Sequence, residues 1–229
     1  MMAVFEVFYQ PGKLFASLPG RRGVWVLPLL AGMLLSLCTT YFAVQKIGLD
    51  AIVRQQIESQ RNMSPEQMQQ ALNNANSPAV AYLIYGVVIV AGVLLPIVIA
   101  GALSIFALMG STQPKFGTMF SMVTLAYLPY SLIAALMTVL VVSIAPDTSV
   151  LDINNLLSTN VAAFMNKDTT GKALYAFLGS VDVLSFGVIG FLAYGFSKVT
   201  KSSFFFGVFS VGSLWAIYVV IKVGLSLLR

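Results

Sequence analysis

The chain has 229 residues, of which 58% are hydrophobic and only 9% charged, with a mean hydropathy of +0.88. That leaves too little polar surface to cover a single soluble core. A formal charge of +5 and a pI near 9.4 would suit a nucleic-acid ligand. The basic residues, however, stand singly or in pairs beside apolar runs, the pattern of membrane orientation, so no nucleic-acid partner is expected. With no His, imidazole zinc sites, Ser/His chemistry and His proton relays are excluded. Cys38 is the one cysteine, so there is no intrachain disulfide, and it reads as a small packing residue in an apolar run.

In chain order, the segment at about 3–20 places Val4, Phe5, Val7, Phe8, Leu14, Phe15 and Leu18 among few charges. It reads as an interfacial anchor broken at Pro11 and Gly12. The first span is expected at about 24–45, after Arg21 and Arg22. It is too long for the apolar region of a signal peptide and reads as a retained helix. An outer loop at about 46–79 contains Ser64, Pro65 and Gln67, the signature of a capped helix start. Met68, Ala71, Leu72 and Ala75 follow at helical spacing, and with Leu49, Ile52, Val53 and Ile57 upstream they predict a helical hairpin over the outer face.

Spans at about 80–109 and 116–145 carry Pro96 and Pro129 as expected helix bends, and the short "GSTQPK" makes them an antiparallel hairpin. The outer loop at about 146–172 has Leu151, Leu156, Leu157, Ala163 and Phe164 nearly in phase, which predicts one interfacial helix. The last two spans, about 173–197 and 204–228, hold one charge each, Asp182 and Lys222, and are joined by the basic turn "KVTKSS". Continuous apolar runs without period-two alternation mean helices, not a barrel. The expected fold is therefore all-α: one membrane domain over residues 1–229, a five-helix bundle with short interfacial and extracytoplasmic helices.

Lys13, Arg21 and Arg22, then Lys115, then Lys198 and Lys201 outweigh the single Glu6 on one side. The other loops are balanced or acidic: Lys46, Arg54 and Arg61 face Asp50, Glu58 and Glu66, while Lys167 and Lys172 face Asp147, Asp152 and Asp168. The expectation is an amino terminus in the cytoplasm and a carboxyl terminus outside, in a bacterial cytoplasmic (inner) membrane.

An ionisable group inside a span is a functional hypothesis by default, since it costs about 2.5 kcal/mol or more to bury unpaired. On a continuous fourth helix Asp182 would lie roughly 14 Å deep and Lys222 roughly 10 Å from its own end. The two are therefore candidates for a charge pair, directly or through a water, with snorkelling as the alternative for Lys222. Gly179, Phe186, Gly190 and Ala193 share the Asp182 face and read as a helix-packing surface, as do Ser203 and Gly207 on the next helix. One intramembrane carboxylate is too few for an aspartyl protease, and no phosphate loop or metal cluster is present in the sequence. No catalytic, cofactor or metal residue is assigned, and no enzymatic activity is expected.

"LSTNVAAFMNKDTTGKALYAFLGSVDVLSFGVIGFLAYGFSKVTKSS" resembles the signature region of the Yip family, the Ypt-interacting proteins and their prokaryotic relatives. Asp182, Gly195 and the turn 198–203 match by position, whereas Leu184 and Gly187 stand where Phe and Trp are usual. "VFYQPGKLFASLP" and "PKFGTMFSMVTLAYLPYSLI" resemble two further family segments. The resemblance implies a non-enzymatic five-span protein. Eukaryotic members act in vesicle traffic with small GTPases and membrane-shaping partners, a role not expected to carry over intact, because their long cytoplasmic amino-terminal domain corresponds here to only about twenty residues. A prokaryotic-type role in membrane organisation, or as an accessory subunit of a membrane complex, is the expectation. The competing one is a small permease or lipid-transfer, scramblase-like protein using the two Pro bends and the Asp182 region. Expected partners are membrane lipids and another membrane protein or a second copy, with no cofactor.

Overall fold

The computed structural model describes residues 2–58, 64–75, 77–110, 112–148, 151–166 and 169–228. Among them ten α-helices run in the order α1 (Met2–Tyr9), α2 (Pro11–Ser17), α3 (Val26–Ile47), α4 (Leu49–Glu58), α5 (Pro65–Asn73), α6 (Pro78–Ala107), α7 (Phe116–Ile144), α8 (Lys172–Leu178), α9 (Val183–Thr200) and α10 (Phe204–Leu228). Five of these, α3, α6, α7, α9 and α10, are long and apolar enough to cross a bilayer. The fold is an all-α polytopic bundle of an integral membrane protein. α6 and α7, at 30 and 29 residues, extend about 45 Å and exceed a hydrocarbon core of about 30 Å, so they tilt or protrude.

α7 is the axis of the bundle. Every residue from Thr118 to Ala126 is buried, which requires neighbours on all sides of the helix. They are α3, α6, α9 and α1, with α2 packed on α9; Val7 of α1, Leu14 and Phe15 of α2 and Leu18 just after it join the same buried cluster as Leu103, Met122, Leu192 and Phe196. Packing is thus concentrated at the end where α3, α7 and α10 begin and α6 and α9 finish. Trp25 meets Phe120, Phe106 meets Phe209, and Phe196 meets Phe206 there.

Expectations for the 146–172 loop and for Cys38 are corrected. The amino-terminal segment, expected as an interfacial anchor, packs on the bundle through α2 and leaves Phe5, Phe8 and Tyr9 of α1 exposed. Phe15 has no exposed surface and its ring stands edge-on to Phe191 and Tyr194, because the turn at Gln10 folds α2 back against α9. The 146–172 loop forms no α-helix over its described residues before α8. It makes two short 3-10 turns, Ile153–Asn155 and Val161–Phe164, separated by Ser158 at a positive φ of 48°, a conformation that an α-helix cannot include. Cys38 is exposed on the bundle's flank instead of packed within it.

The 46–79 loop does form two helices, α4 and α5, in contact with each other. Ser64 accepts from the Gln67 backbone N–H at 3.2 Å while the Gln67 side chain accepts from Ser64 N–H at 3.1 Å. This far end is held to the 146–172 loop by Gln55, which donates to the Leu151 carbonyl and accepts from Ile153 N–H. Arg61, Lys167 and Asp168, counted in the charge balance, lie outside the described residues.

Candidate functional site: the broken fourth span

The apolar run expected as one helix over 173–197 is interrupted. α8 stops at Leu178, Gly179 caps it, and α9 begins at Val183 with Asp182 as its N-cap. Asp182 has extended backbone angles, and its carboxylate accepts from Ser185 N–H at 3.0 Å and from Ser185 Oγ at 2.8 Å. Its other oxygen accepts from Thr159 Oγ1. Backbone bonds from Val161 N–H to the Val181 carbonyl and from Val183 N–H to the Thr159 carbonyl pin the same two segments together. Asp182 is thus a knot between the outer loop and the first turn of α9, where a negative charge also suits the helix dipole.

This changes the depth assigned to it. α9 alone is 18 residues, about 27 Å, close to a full hydrocarbon thickness, and Asp182 directly precedes this candidate span instead of lying nine residues into a continuous helix. Burial acts to raise its pKa. The bonds from the Thr159 and Ser185 hydroxyls and from the Ser185 and Leu184 backbone outweigh burial and hold the carboxyl below its usual value.

Lys222 comes to the same break from α10. Its ammonium donates to Ser180 Oγ at 3.1 Å and lies 6.0 Å from the centre of the Tyr218 ring. Ser180, itself buried, passes the connection on to the Ala176 carbonyl at 3.0 Å. Asp182 and Lys222 therefore share one break and attract each other through space, but the bonded link from Lys222 goes to Ser180.

The proposed packing face divides. Ala193 is fully buried at the crossing of α9 and α10, where a Cβ on Gly207 would collide with the Ala193 carbonyl oxygen. Phe186 is half exposed and tilts against Trp215 of α10 at 5.6 Å. A Cβ on Gly190 would meet nothing within 4 Å, so this glycine borders open space. Gly179 belongs to the α8 cap, where a Cβ would meet Ala162 at 3.7 Å and its own helix carbonyls. Gly195, one of the resemblance positions, marks a close approach: a Cβ there would sit 2.9 Å from Met122 Sδ and 3.3 Å from the Phe15 ring.

The other hydroxyls within the spans mostly turn back on their own helices. Thr39, Ser104, Ser121, Thr124, Ser131, Ser197, Thr200, Ser210 and Ser226 each donate to a carbonyl three or four residues earlier. Pro96 and Pro129 both lie inside continuous helices, and each lines a lateral groove. Pro96 belongs to a groove of about 370 Å³ between α3, α6 and α7. Pro129 belongs to one of about 330 Å³ between α1, α7 and α9, floored by Val188 and Ala126. Sequence reasoning missed both grooves and the helix break. The break had a signal in "GSVDVLS", a glycine stop followed by an Asp cap with Ser three residues on.

No family model, curated protein or solved structure matches the chain.

Proposed function

We propose that this chain is a non-catalytic organiser of a bacterial cytoplasmic membrane, of prokaryotic Yip type, acting as a scaffold or as an accessory subunit beside another integral membrane protein or a second copy of itself. The observation that carries this reading is the use made of the polar groups in and beside the spans. Asp182, Thr159 and Ser185 close a loop onto a helix, Lys222 joins α10 to the break through Ser180, and the span hydroxyls bond their own backbones. These groups are consumed in holding the bundle together.

Orientation follows the charge. Lys13, Arg21, Arg22, Lys115, Lys198 and Lys201 gather at the densely packed end, which is assigned to the cytoplasm. The outer flanks of α6 and α10 offer apolar contact surface, with Tyr82, Leu83, Leu94 and Ile105 exposed on the one and Ile217, Tyr218 and Ile221 on the other.

A photo-crosslinking residue placed in turn at Tyr82, Leu94 and Ile221, and at the buried Leu125 as control, tests the reading in native membranes. A discrete protein adduct from at least one exposed position, absent at the control, is the expected result. Lipid adducts alone at all three positions would contradict an accessory or self-associating role. The lateral grooves favour a second reading, lipid transfer or scrambling, which would run beside α3, α6 and α7 and not through Asp182. Reconstituted vesicles separate the two, because a scaffold leaves the rate of lipid flip-flop at the protein-free value.

A further inference from the structure

The groove between α3, α6 and α7 has a buried floor and an open rim. Pro28, Pro96, Thr124 and Leu128 are buried along the floor, whereas Ser36, Ala91 and Leu95 at the rim are exposed. Two glycines on facing helices help create it. A Cβ on Gly32 would reach only Ser131 Oγ, at 3.8 Å, and one on Gly92 would reach Met33 Cγ at 3.3 Å. All three helices are long and apolar enough to span a membrane, and a bilayer around the bundle would set hydrocarbon against the rim.

A volume of about 370 Å³ could hold roughly a dozen waters, but each water needs two or more polar partners. The groove offers few: among its sixteen lining residues, the only hydroxyls not turned back onto a helix carbonyl are those of Ser36, Thr40, Tyr127 and Tyr130. Thr124 donates to the Phe120 and Ser121 carbonyls, and Ser131 donates to the Tyr127 carbonyl, so these hydroxyls present methyl or methylene surface. Left empty, the lining would forgo its dispersion contacts. In a bilayer the apolar material at the rim is lipid chain.

The groove also has the length and position of one leaflet's chain. It runs along α3 from Pro28 to Thr40, about 18 Å at 1.5 Å per residue, against about 15 Å for half a hydrocarbon core. It starts two residues into α3, just below Trp25 and the exposed Arg21 and Arg22, at the basic end of the molecule. Lys115, the N-cap of α7, stands at that same end, where Trp25 packs on Phe120.

We propose that this groove is a lipid site that takes one acyl chain of an anionic phospholipid from the leaflet at the basic end, with the head group at Arg21 and Arg22. The proposal goes beyond the scaffold reading and does not depend on it, since it concerns which lipid the bundle holds and not which protein it meets.

The test uses the full chain in phosphatidylglycerol or phosphatidylcholine vesicles, each doped with the same phospholipid carrying a photoreactive diazirine midway along one chain. After irradiation, adducts are mapped by mass spectrometry. Adducts at Met33, Ser36 and Tyr127 are expected to exceed those at the outward-facing Leu83, Leu94 and Ile105 several-fold, and more strongly with phosphatidylglycerol. Gly32→Leu, which projects into the groove, is expected to reduce groove adducts several-fold and leave the outer ones unchanged, and Ala91→Phe repeats the test from the α6 rim. Equal labelling of groove and outer positions in the wild-type chain would overturn the site whether or not either variant folds. Equal groove labelling in the two lipids would overturn the role of Arg21 and Arg22.

Discussion

Asp182 illustrates how one residue's role depends on where its helix starts. Inside a continuous span it would be a costly charge in search of a partner. As an N-cap it has Ser185 and Thr159 as donors, and its negative charge faces a helix start. Asp182→Ala is expected to cost about 1 to 2 kcal/mol, and Asp182→Asn, which keeps an accepting oxygen, less than half of that, measured as loss of thermal stability in detergent. Since the folded carboxyl titrates below its ordinary value of 3.8, its contribution is complete above that pH and is lost as pH falls through the lower folded value. The stability gap between wild type and Asp182→Asn should therefore be constant from about pH 7 to about pH 5 and shrink towards about pH 3. A gap that widens on acidification would refute the assignment. The cap was legible in "GSVDVLS" by its residue types, but the unbroken hydropathy on both sides concealed it.

At the scale of elements, the two contacts that matter most are the α9–α10 crossing and the docking of α2. Gly207→Val would drive a side chain into the Ala193 carbonyl, which overpacking places at about 1 to 3 kcal/mol. Gly212→Ala, where a Cβ meets nothing within 4 Å, should leave the melting temperature unchanged. Phe15→Ala removes a fully buried ring from between Phe191 and Tyr194 and is expected to cost about 3 to 5 kcal/mol. It should also expose α1 and α2 to protease, while Phe5→Ala at a largely exposed position should do neither. Of the expected pair Ser203 and Gly207, Gly207 marks a close helix approach whereas the exposed Ser203 accepts from Phe206 N–H at the start of α10, and the capped start of α5 was readable down to Ser64 and Gln67. The fate of α2 was not readable. A Phe-rich amphipathic segment suits a bilayer interface and a protein groove equally, and the room that Gly195 leaves for the Phe15 ring is a feature of the folded bundle that no sequence pattern displays.

For the whole molecule, five long apolar runs were enough to foresee five spanning helices, because a bilayer demands about 20 apolar residues per crossing and the chain meets that demand five times. The lateral grooves were not foreseeable, since Gly32 and Gly92 become one feature only when α3 and α6 lie side by side. The claim on which the account rests is that the loop carrying Ser64 and the turn carrying Ser202 lie on opposite faces of the membrane. In a Cys38→Ser background, Ser64→Cys and Ser202→Cys can be probed with a membrane-impermeant thiol reagent on intact cells, before and after the membrane is opened. The account predicts labelling at position 64 from outside and at position 202 only after opening; labelling of both positions from the same side would contradict it.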